Sequence, residues 1–195
     1  MISKRLSRNF WTRPTLKVAK DLLGKFIVRQ IGKRKSKGMI VETEAYIGPE
    51  DKASHAYGGK VTKRNRAEYL IGGHIYIYLV YGMYWQLNIS TGDEGKPECV
   101  LLRAIEPANE RERKNSNLRV VPNGPGKLCQ YLKLDKSFYG EDVTKSKRLW
   151  LADNDIKIKK LEIAVGTRIG IDYAGEWAKK PWRFYIKGNP FVSKR

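Results

Sequence analysis

Two carboxylates stand two residues apart in VETEAY, residues 41–46. Side chains two residues apart on a β-strand point to the same face, so Glu42 and Glu44 would share a face with Ile40 and Tyr46. A carboxylate in apolar surroundings costs free energy unless it is paired or used. We therefore expect Glu44 at the edge of a pocket, where its carboxylate would activate a water molecule. A solvated strand face, on which neither glutamate takes part in chemistry, is the alternative.

The same stretch also allows a second interpretation, a metal site. Hard oxygen ligands together with one imidazole suit Mg²⁺ or Mn²⁺ in a nuclease. The candidate ligands are Glu42, Glu44, Glu50, Asp51 and His55. In this interpretation the chain would be a metal-dependent nuclease. His74 is the only other histidine, and we expect it to be a polar loop residue.

Two further polar residues, Arg103 and Asn88, stand among apolar ones. Arg103 lies in VLLRAIE, and a guanidinium between aliphatic side chains either extends to the surface or pairs with a carboxylate or phosphate. Asn88 falls where a strand enters LNIS, and an asparagine there ordinarily makes hydrogen bonds at a strand end. Neither residue alone decides a function.

The stretch YIYLVYGMYWQLN, residues 76–88, is rich in aromatic residues. Tyr76 and Tyr78 alternate with aliphatic residues, which is the spacing of a strand. Gly82 interrupts the alternation, and Trp85 restarts it. The pattern predicts a hairpin with an aromatic tip. A β-rich core with an ordinary turn is the alternative.

The elements that must position these residues mix helices and strands without a regular βαβ rhythm, which predicts an α+β fold. The patterns predict helices over 15–23, ended by Gly24, and over 65–70, 107–114 and 126–132. They predict strands over 25–31, 39–46 and 99–106, and shorter ones at 150, 163–171 and 182–186. GKRKSKG, residues 32–38, reads as a charged turn. The long polar segment 48–66 is of a length that is usually functional.

The charge balance favours an anionic partner. The 195 residues include 39 Lys and Arg against 20 Asp and Glu, a net charge of +19. This excess repels itself in the folded state unless an anion neutralises it, and nucleic acid is the leading candidate. An anionic membrane surface and a merely soluble basic protein are the alternatives.

The cysteines and the N-terminal segment further limit the class of protein that the sequence can represent. Cys99 and Cys129 form no CxxC pair, so they do not indicate an iron–sulfur cluster or a structural zinc site. The basic N-terminus has no apolar signal region, and no apolar run has membrane-spanning length. We expect a soluble intracellular protein.

Together these features are the parts of a base-flipping enzyme. Chemistry on a base in a duplex requires the nucleotide to leave the stack. Aromatic walls would hold the extruded base, a wedge residue would fill the gap, and the carboxylate would activate water. A non-catalytic module that binds single strands by aromatic stacking is a further alternative to the nuclease.

Blocks along nearly the whole chain resemble one family. They are VETEAYIGPEDKASHAYGG, TKRNR, YIYLVYGMYWQLNIS, CVLLRAIEP, GPGKLCQ and AGEWAKKPWRFYIKGNPFVS. In this order, from about Phe10 to the C-terminus, they are similar to the alkyladenine DNA glycosylases, or mammalian-type 3-methyladenine DNA glycosylases. The resemblance implies a single compact domain over 1–195 with a flexible stretch at 1–9. It also implies a curved, mainly antiparallel, barrel-like sheet with surrounding helices and a protruding hairpin.

The function implied by the resemblance is that of a monofunctional DNA glycosylase of base excision repair. Such an enzyme hydrolyses the N-glycosidic bond of alkylated or deaminated purines and leaves an abasic site, without a metal, a cofactor or strand cleavage. The expected substrates in duplex DNA are 3-methyladenine, 7-methylguanine, hypoxanthine and ethenoadenine. We expect a monomer without a membrane partner, cytoplasmic at a bacterial nucleoid, or nuclear in a eukaryote.

Site residues are implied by the same resemblance, which also extends to TRIGI, residues 167–171. Glu44 resembles the general base, with Arg103 and the main-chain carbonyl of Ile169 as further contacts of the attacking water. The walls around the flipped base would be Tyr46, His55 and Tyr78. Asn88 resembles the residue that clashes with the exocyclic amino group of guanine. The residues that enter the DNA at the hairpin tip would be Tyr81, as the wedge, with Met83 and Tyr84.

Two departures from animal members accompany the resemblance. The segment 111–123 is shorter than in those proteins. Glu68-Tyr69 stand where they have a methionine, and we expect this pair beside the wedge. The contact with the opposite DNA strand should therefore differ in this chain.

Overall fold

The computed structural model describes residues 4–109 and 120–193. Their strands form one sheet in which every pairing is antiparallel. The strands are β1 (Lys4–Arg5), β2 (Phe26–Ile31), β3 (Arg34–Ile47), β4 (Ile75–Val80), β5 (Tyr84–Ser90), β6 (Glu98–Pro107), β7 (Leu149–Asp153), β8 (Ile163–Gly166) and β9 (Arg183–Ile186).

The sheet is large but not closed. Its main path runs β1-β7-β2-β3-β6-β5-β4, and β9 pairs with both β3 and β8 off this path. The α+β class and the single domain with an antiparallel sheet are therefore confirmed, whereas the barrel-like sheet does not close into a barrel. β3 and β6 are internal strands with hydrogen-bonded partners on both sides, so the sheet holds the backbone that carries their side chains.

Three α-helices lie among the described residues, and they flank this sheet: α1 (Arg8–Trp11), α2 (Thr15–Asp21) and α3 (Pro125–Leu132). Short 3₁₀ turns cover Tyr57–Gly59, Arg66–Tyr69, Lys136–Phe138, Lys160–Glu162 and Asp172–Lys179. α2 and α3 match the predicted helices, and Gly24 follows α2 with a left-handed φ of 82°. None of the helices in the ranges 4–109 and 120–193 is long and apolar enough to cross a membrane.

Three predicted elements differ from the structure or fall outside it. The charged turn predicted over 32–38 is wrong in extent, because β3 already begins at Arg34 and pairs with β2. The exposed lysines of this segment are compatible with a strand that pairs with β2. The turn was predicted only because the segment is highly charged. The helix predicted over 107–114 falls largely outside the described residues. Of the stretch expected to be flexible, Lys4–Arg5 pair with β7.

The main core fills one face of the sheet. Its largest enclosed side chains include Trp11 from α1, Ile40 from β3 and Leu102 from β6. A smaller cluster covers the other face of β3 and β6, where Val41 and Ala104 pack against Phe191 and Val192. Because both faces are covered, the polar side chains on these strands are also removed from water.

The aromatic hairpin is confirmed. Strands β4 and β5 pair from Ile75↔Ile89 to Val80↔Tyr84, and the tip is Tyr81-Gly82-Met83. Tyr81 and Gly82 both have left-handed backbone angles, with φ of 52° and 67°. This geometry is common at the tips of tight hairpins, but it is strained for a residue other than glycine.

Candidate active site

The carboxylate of Glu44 is fully buried in β3 and has partners on both oxygens. The phenol of Tyr46 donates to Oε2 at 2.9 Å, and the backbone N–H of Ile169 donates to Oε1 at 2.8 Å. Nη1 of Arg103 lies 3.3 Å from Oε1. Burial raises the pKa of Glu44 above its ordinary value, while the charge of Arg103 and the two hydrogen bonds act in the opposite direction.

A cavity of about 440 Å³ lies against this carboxylate. The three partners of Glu44 all line it, so Glu44 sits one layer behind the cavity wall rather than remote from it. The lining also includes His55, Tyr78 and the hairpin-tip residue Tyr81. The structure therefore brings the predicted base, its predicted neighbours and the predicted walls to one cleft.

Arg103 is buried and bridges two glutamates. Its Nε lies 3.3 Å from Oε1 of Glu42, and its Nη1 reaches Glu44. Glu42 also accepts from Nη1 of Arg183 at 2.8 Å and from the backbone N–H and hydroxyl of Ser193 at 2.7 and 2.9 Å. Of the two alternatives for Arg103, pairing with carboxylates is therefore correct. The solvated face suggested for the glutamates is wrong, because both are enclosed.

Two of the predicted walls, His55 and Tyr78, pack against each other where they line the cavity. The rings of His55 and Tyr78 meet edge to face, with centroids 4.6 Å apart. Nδ1 of His55 shares a hydrogen bond of 2.6 Å with the phenol of Tyr76, which fixes the ring plane. Desolvation by the surrounding residues, and to a lesser extent the charge of Arg64, lower the pKa of His55 to about 4. This ring is therefore neutral near pH 7.

Tyr46 is supported from behind by Arg168, which the sequence patterns did not single out. The guanidinium carbon of Arg168 lies 4.6 Å from the centre of the Tyr46 ring. Its two terminal nitrogens bind the two carboxylate oxygens of Asp51, and both side chains are enclosed. This pair joins the long segment after β3 to the backbone at Ile169.

Asn65 is a second residue that sequence reasoning missed, although it stands in the quoted block TKRNR. Its Nδ2 donates to the carbonyls of His55 at 3.0 Å and Lys60 at 2.8 Å. Its Oδ1 accepts from the backbone N–H of Thr62 at 2.7 Å. One buried amide therefore shapes the loop that carries the His55 wall.

Behind the aromatic walls lies a narrow recess that contains Asn88, Glu68 and Cys99. Asn88 is buried and donates to the carbonyl of Tyr76 at 3.2 Å. The expectation that Glu68 stands beside the wedge is wrong. The 3₁₀ turn Arg66–Tyr69 packs against β4, β5 and β6, so Glu68 is enclosed while Tyr81 is 86% exposed.

The hairpin tip projects from the protein. Tyr81 is 86% exposed and Met83 is 65% exposed, and Tyr84 beside them is partly covered. The ring of Tyr84 lies against α3, where a Cβ added to Gly126 would come within 2.9 Å of it. The absence of a side chain at this position allows the helix to support the base of the hairpin.

The residues proposed as a metal cluster do not converge. Glu42 is occupied by Arg103, Arg183 and Ser193, and Asp51 by Arg168. Across 4–109 and 120–193, no group of three or more His, Cys, Asp or Glu side chains could hold a metal ion. The geometry therefore does not favour the metal-dependent nuclease.

Comparison with known proteins finds relatives over almost the whole chain. A family model described as methylpurine-DNA glycosylase matches residues 9–190. A Methanocella arvoryzae protein named putative 3-methyladenine DNA glycosylase is 49% identical over 197 residues, covering 97% of this chain and 96% of that protein. A Desulfitobacterium hafniense protein of the same name is 45% identical, with coverage of 97% and 98%. The human DNA-3-methyladenine glycosylase is 40% identical, with coverage of 97% of this chain and 68% of the human protein.

Proposed function

The chain belongs to the methylpurine-DNA glycosylase family, and from this premise we propose that it is a monofunctional glycosylase that hydrolyses damaged purines from duplex DNA. The relatives carry the name of DNA-3-methyladenine glycosylase, which supports a role in the repair of alkylated DNA. The observation that carries the finer proposal is the position of Glu44. Its buried carboxylate contacts three residues of one cavity wall, Tyr46, Arg103 and Ile169.

The first step of the proposed mechanism is extrusion of the damaged nucleotide. The basic chain binds the phosphates, and Tyr81 enters the duplex from the hairpin tip, with Met83 and Tyr84 beside it. Tyr46, His55 and Tyr78 then hold the flipped base. Stacking on aromatic side chains offsets part of the unstacking cost, roughly 1–3 kcal/mol per base. The strained backbone and 86% exposure of Tyr81 support the wedge role.

The second step is hydrolysis. As the bond to the purine lengthens, the sugar gains positive charge, and water adds to C1′. The carboxylate of Glu44 accepts the proton of this water and stabilises the developing cation. Arg103 and the backbone at Ile169 hold Glu44 in place for this exchange. Asn88, near the base edge, would disfavour normal guanine through a clash with its 2-amino group. The positively charged 7-methylguanine is a better leaving group and would still be released.

A lysine nucleophile is not needed for this chemistry. Strand-cleaving glycosylases form a Schiff base through an amine, whereas a water-dependent enzyme releases the base and stops. The described residues that line the cavity include arginines but no lysine. We therefore expect an intact abasic strand as the product.

Incubation of the protein with duplexes that contain hypoxanthine or 3-methyladenine, in the presence of EDTA, tests this function. We expect free base and alkali-labile abasic sites, with no strand break before alkali. Loss of all product in EDTA, with recovery on adding Mg²⁺, would support the nuclease instead. Tight binding of single strands without any released base would support a binding module.

A further inference from the structure

Glu68 carries a carboxylate oxygen without a partner in the part of the chain that the structure describes. The side chain is 2% exposed, and its Oε2 makes no hydrogen bond there. Its Oε1 accepts from the thiol of Cys99 at 3.4 Å. A buried polar atom without a hydrogen bond lowers the free energy of unfolding by roughly 1–3 kcal/mol, so its presence requires an explanation.

The position of Glu68 points to the base pocket. It lines the recess together with Tyr46, His55 and Tyr78, which are the same aromatic residues that line the large cavity. The recess is therefore the inner end of the cavity that we propose holds the flipped base. A purine that slides between the rings would direct an edge toward Glu68.

The backbone of Glu68 is held firmly. Its N–H donates to the carbonyl of Asn65 at 2.8 Å, and the neighbouring N–H of Ala67 donates to the phenol of Tyr139 at 3.0 Å. The same Asn65 binds the carbonyl of His55. The carboxyl and the His55 wall therefore share one anchor, which is the arrangement expected of a preorganised binding group.

Glu68 is neutral near pH 7. Burial raises its pKa to about 8, and the hydrogen bond from Cys99 and the charge of Arg64 only partly oppose this. Burial also raises the pKa of the Cys99 thiol, so this neighbour remains an S–H donor to Oε1. The acidic proton of Glu68 is then left to Oε2, the oxygen without a partner. A carboxylic acid kept neutral by its surroundings is a recurring device for donating a proton.

We propose that Glu68 donates a proton to a ring nitrogen of neutral damaged purines, such as hypoxanthine, held between the aromatic walls. This inference rests on the proposed glycosylase function. Alkylated purines such as 7-methylguanine already carry positive charge and leave readily. A neutral purine needs a proton first, and the recess offers an acid at the required place.

The step balances as a hydrolysis. The proton moves from Oε2 of Glu68 to the purine ring, and the bond between C1′ and N9 breaks with its electron pair going to the purine. Water adds to C1′ and gives its proton to Glu44. The purine leaves as a neutral tautomer, and the two glutamates return to their starting states by proton exchange with solvent.

The test compares a neutral lesion with a cationic one. Single-turnover release of hypoxanthine and 7-methylguanine is measured for the native protein, for Glu68→Gln and for the exposed control Glu94→Gln. In Glu68→Gln we expect hypoxanthine release to slow by about 10²–10⁴-fold while 7-methylguanine release changes by less than about tenfold. Equal slowing of both lesions, or unchanged hypoxanthine release, would overturn the proposal.

A second measurement needs no variant and covers the case in which Glu68→Gln does not fold. In the native protein, hypoxanthine release should decline above pH 8 or so, because the pKa of Glu68 is about 8, and 7-methylguanine release should not. The titratable or charged groups around Glu68 to be considered are Asp51, His55, Arg64, Tyr76, Tyr78 and Cys99. The same alkaline decline for both lesions would contradict the role of Glu68.

The outcome also separates this inference from the function on which it rests. A native protein that releases 7-methylguanine but no hypoxanthine overturns the role of Glu68 and leaves the glycosylase function standing. A native protein that releases neither base refutes the proposed function itself.

Discussion

The guanidinium of Arg168 connects Asp51 to the face of Tyr46. Its carbon lies 4.6 Å from the ring centre of Tyr46, while its terminal nitrogens bind both oxygens of Asp51. Nη1 of Arg168 also donates to the carbonyl of Ala45 at 3.1 Å. One wall of the proposed base slot is therefore fixed by an ion pair that does not itself line the cavity.

The first prediction concerns this pair. Asp51→Ala should lower the free energy of unfolding by about 3–5 kcal/mol, because it leaves the enclosed Arg168 without its counter-charge. Urea denaturation measures the change. The control Asp93→Ala removes an exposed ion pair with Lys96 and should cost less than about 1 kcal/mol. Equal effects of the two substitutions would show that the buried pair adds little.

The second prediction concerns Glu44, the proposed general base. Glu44→Gln should bind lesion DNA as the native protein does but excise the base about 10²–10⁴-fold more slowly, because the amide cannot accept a proton. Single-turnover base release and equilibrium binding separate the two effects. Glu94→Gln, an exposed substitution of the same kind, should leave both unchanged. A near-native rate for Glu44→Gln would remove Glu44 from the mechanism.

The third prediction concerns the hairpin tip. Tyr81→Ser should reduce extrusion of the nucleotide more than the rate of bond cleavage, because the ring that fills the gap in the duplex is lost. The emission of ethenoadenine, a fluorescent lesion, reports its extrusion from the stack. Tyr81→Phe keeps the ring and should behave as the native protein. Full extrusion with serine at this position would count against the wedge.

The fourth prediction concerns salt. If five to eight phosphates are contacted, log K against log[salt] should have a slope of roughly −4.5 to −7, since about 0.9 counterion is released for each contact. The net charge of +19 motivates this expectation. Fluorescence anisotropy with an undamaged duplex gives the slope without interference from excision. A flat dependence would separate the charge from DNA binding.

The fifth prediction follows from the proton held by Glu68. Because burial raises its pKa from 4.5 to about 8, the folded protein binds this proton where the unfolded chain releases it. The contribution of Glu68 to the free energy of unfolding should therefore fall as pH rises from about 4.5 to about 8, at up to 1.4 kcal/mol or so per pH unit.

Urea denaturation at several pH values measures this decline. Glu68→Gln should remove it, and the variant should gain stability relative to the native protein as pH rises. Glu94→Gln should follow the native curve, since Glu94 is exposed. A native-like decline in Glu68→Gln would assign the pH dependence to other groups.

The sequence predicted those helices and strands in which apolar residues recur at regular spacing. The alternation around Gly82 predicted the hairpin, and the spacing of apolar residues predicted α2 and α3. The resemblance implied that Glu44, Arg103 and the carbonyl of Ile169 would surround one water molecule. In the structure Arg103 and the backbone N–H of Ile169 both contact Glu44, although Ile169 lies 125 residues beyond it. Their chemical roles remain predictions.

What the sequence did not reveal depends on contacts without a local pattern. Glu42 is neutralised by Arg183, which lies 141 residues along the chain, so no window around VETEAY could identify the pair. Glu68 stands in a short 3₁₀ turn without a periodic pattern of apolar residues, and it is buried by strands and by a loop that are distant from it in sequence. For Arg168, the signal in the sequence was its place within TRIGI, residues 167–171, next to Ile169.

The hydrogen bonds from Ser193 to Glu42 make the segment that contains Ser193 important for the site. Ser193 donates twice to the glutamate that shares Arg103 with Glu44. Proteolytic trimming, or a fusion joined directly after Phe191, would therefore remove the two hydrogen bonds that Ser193 donates to Glu42. Arg103 would then shift toward Glu42 and away from Glu44. The activity of a recombinant preparation should consequently depend on an intact segment up to Ser193, which lies 151 residues beyond Glu42 in sequence.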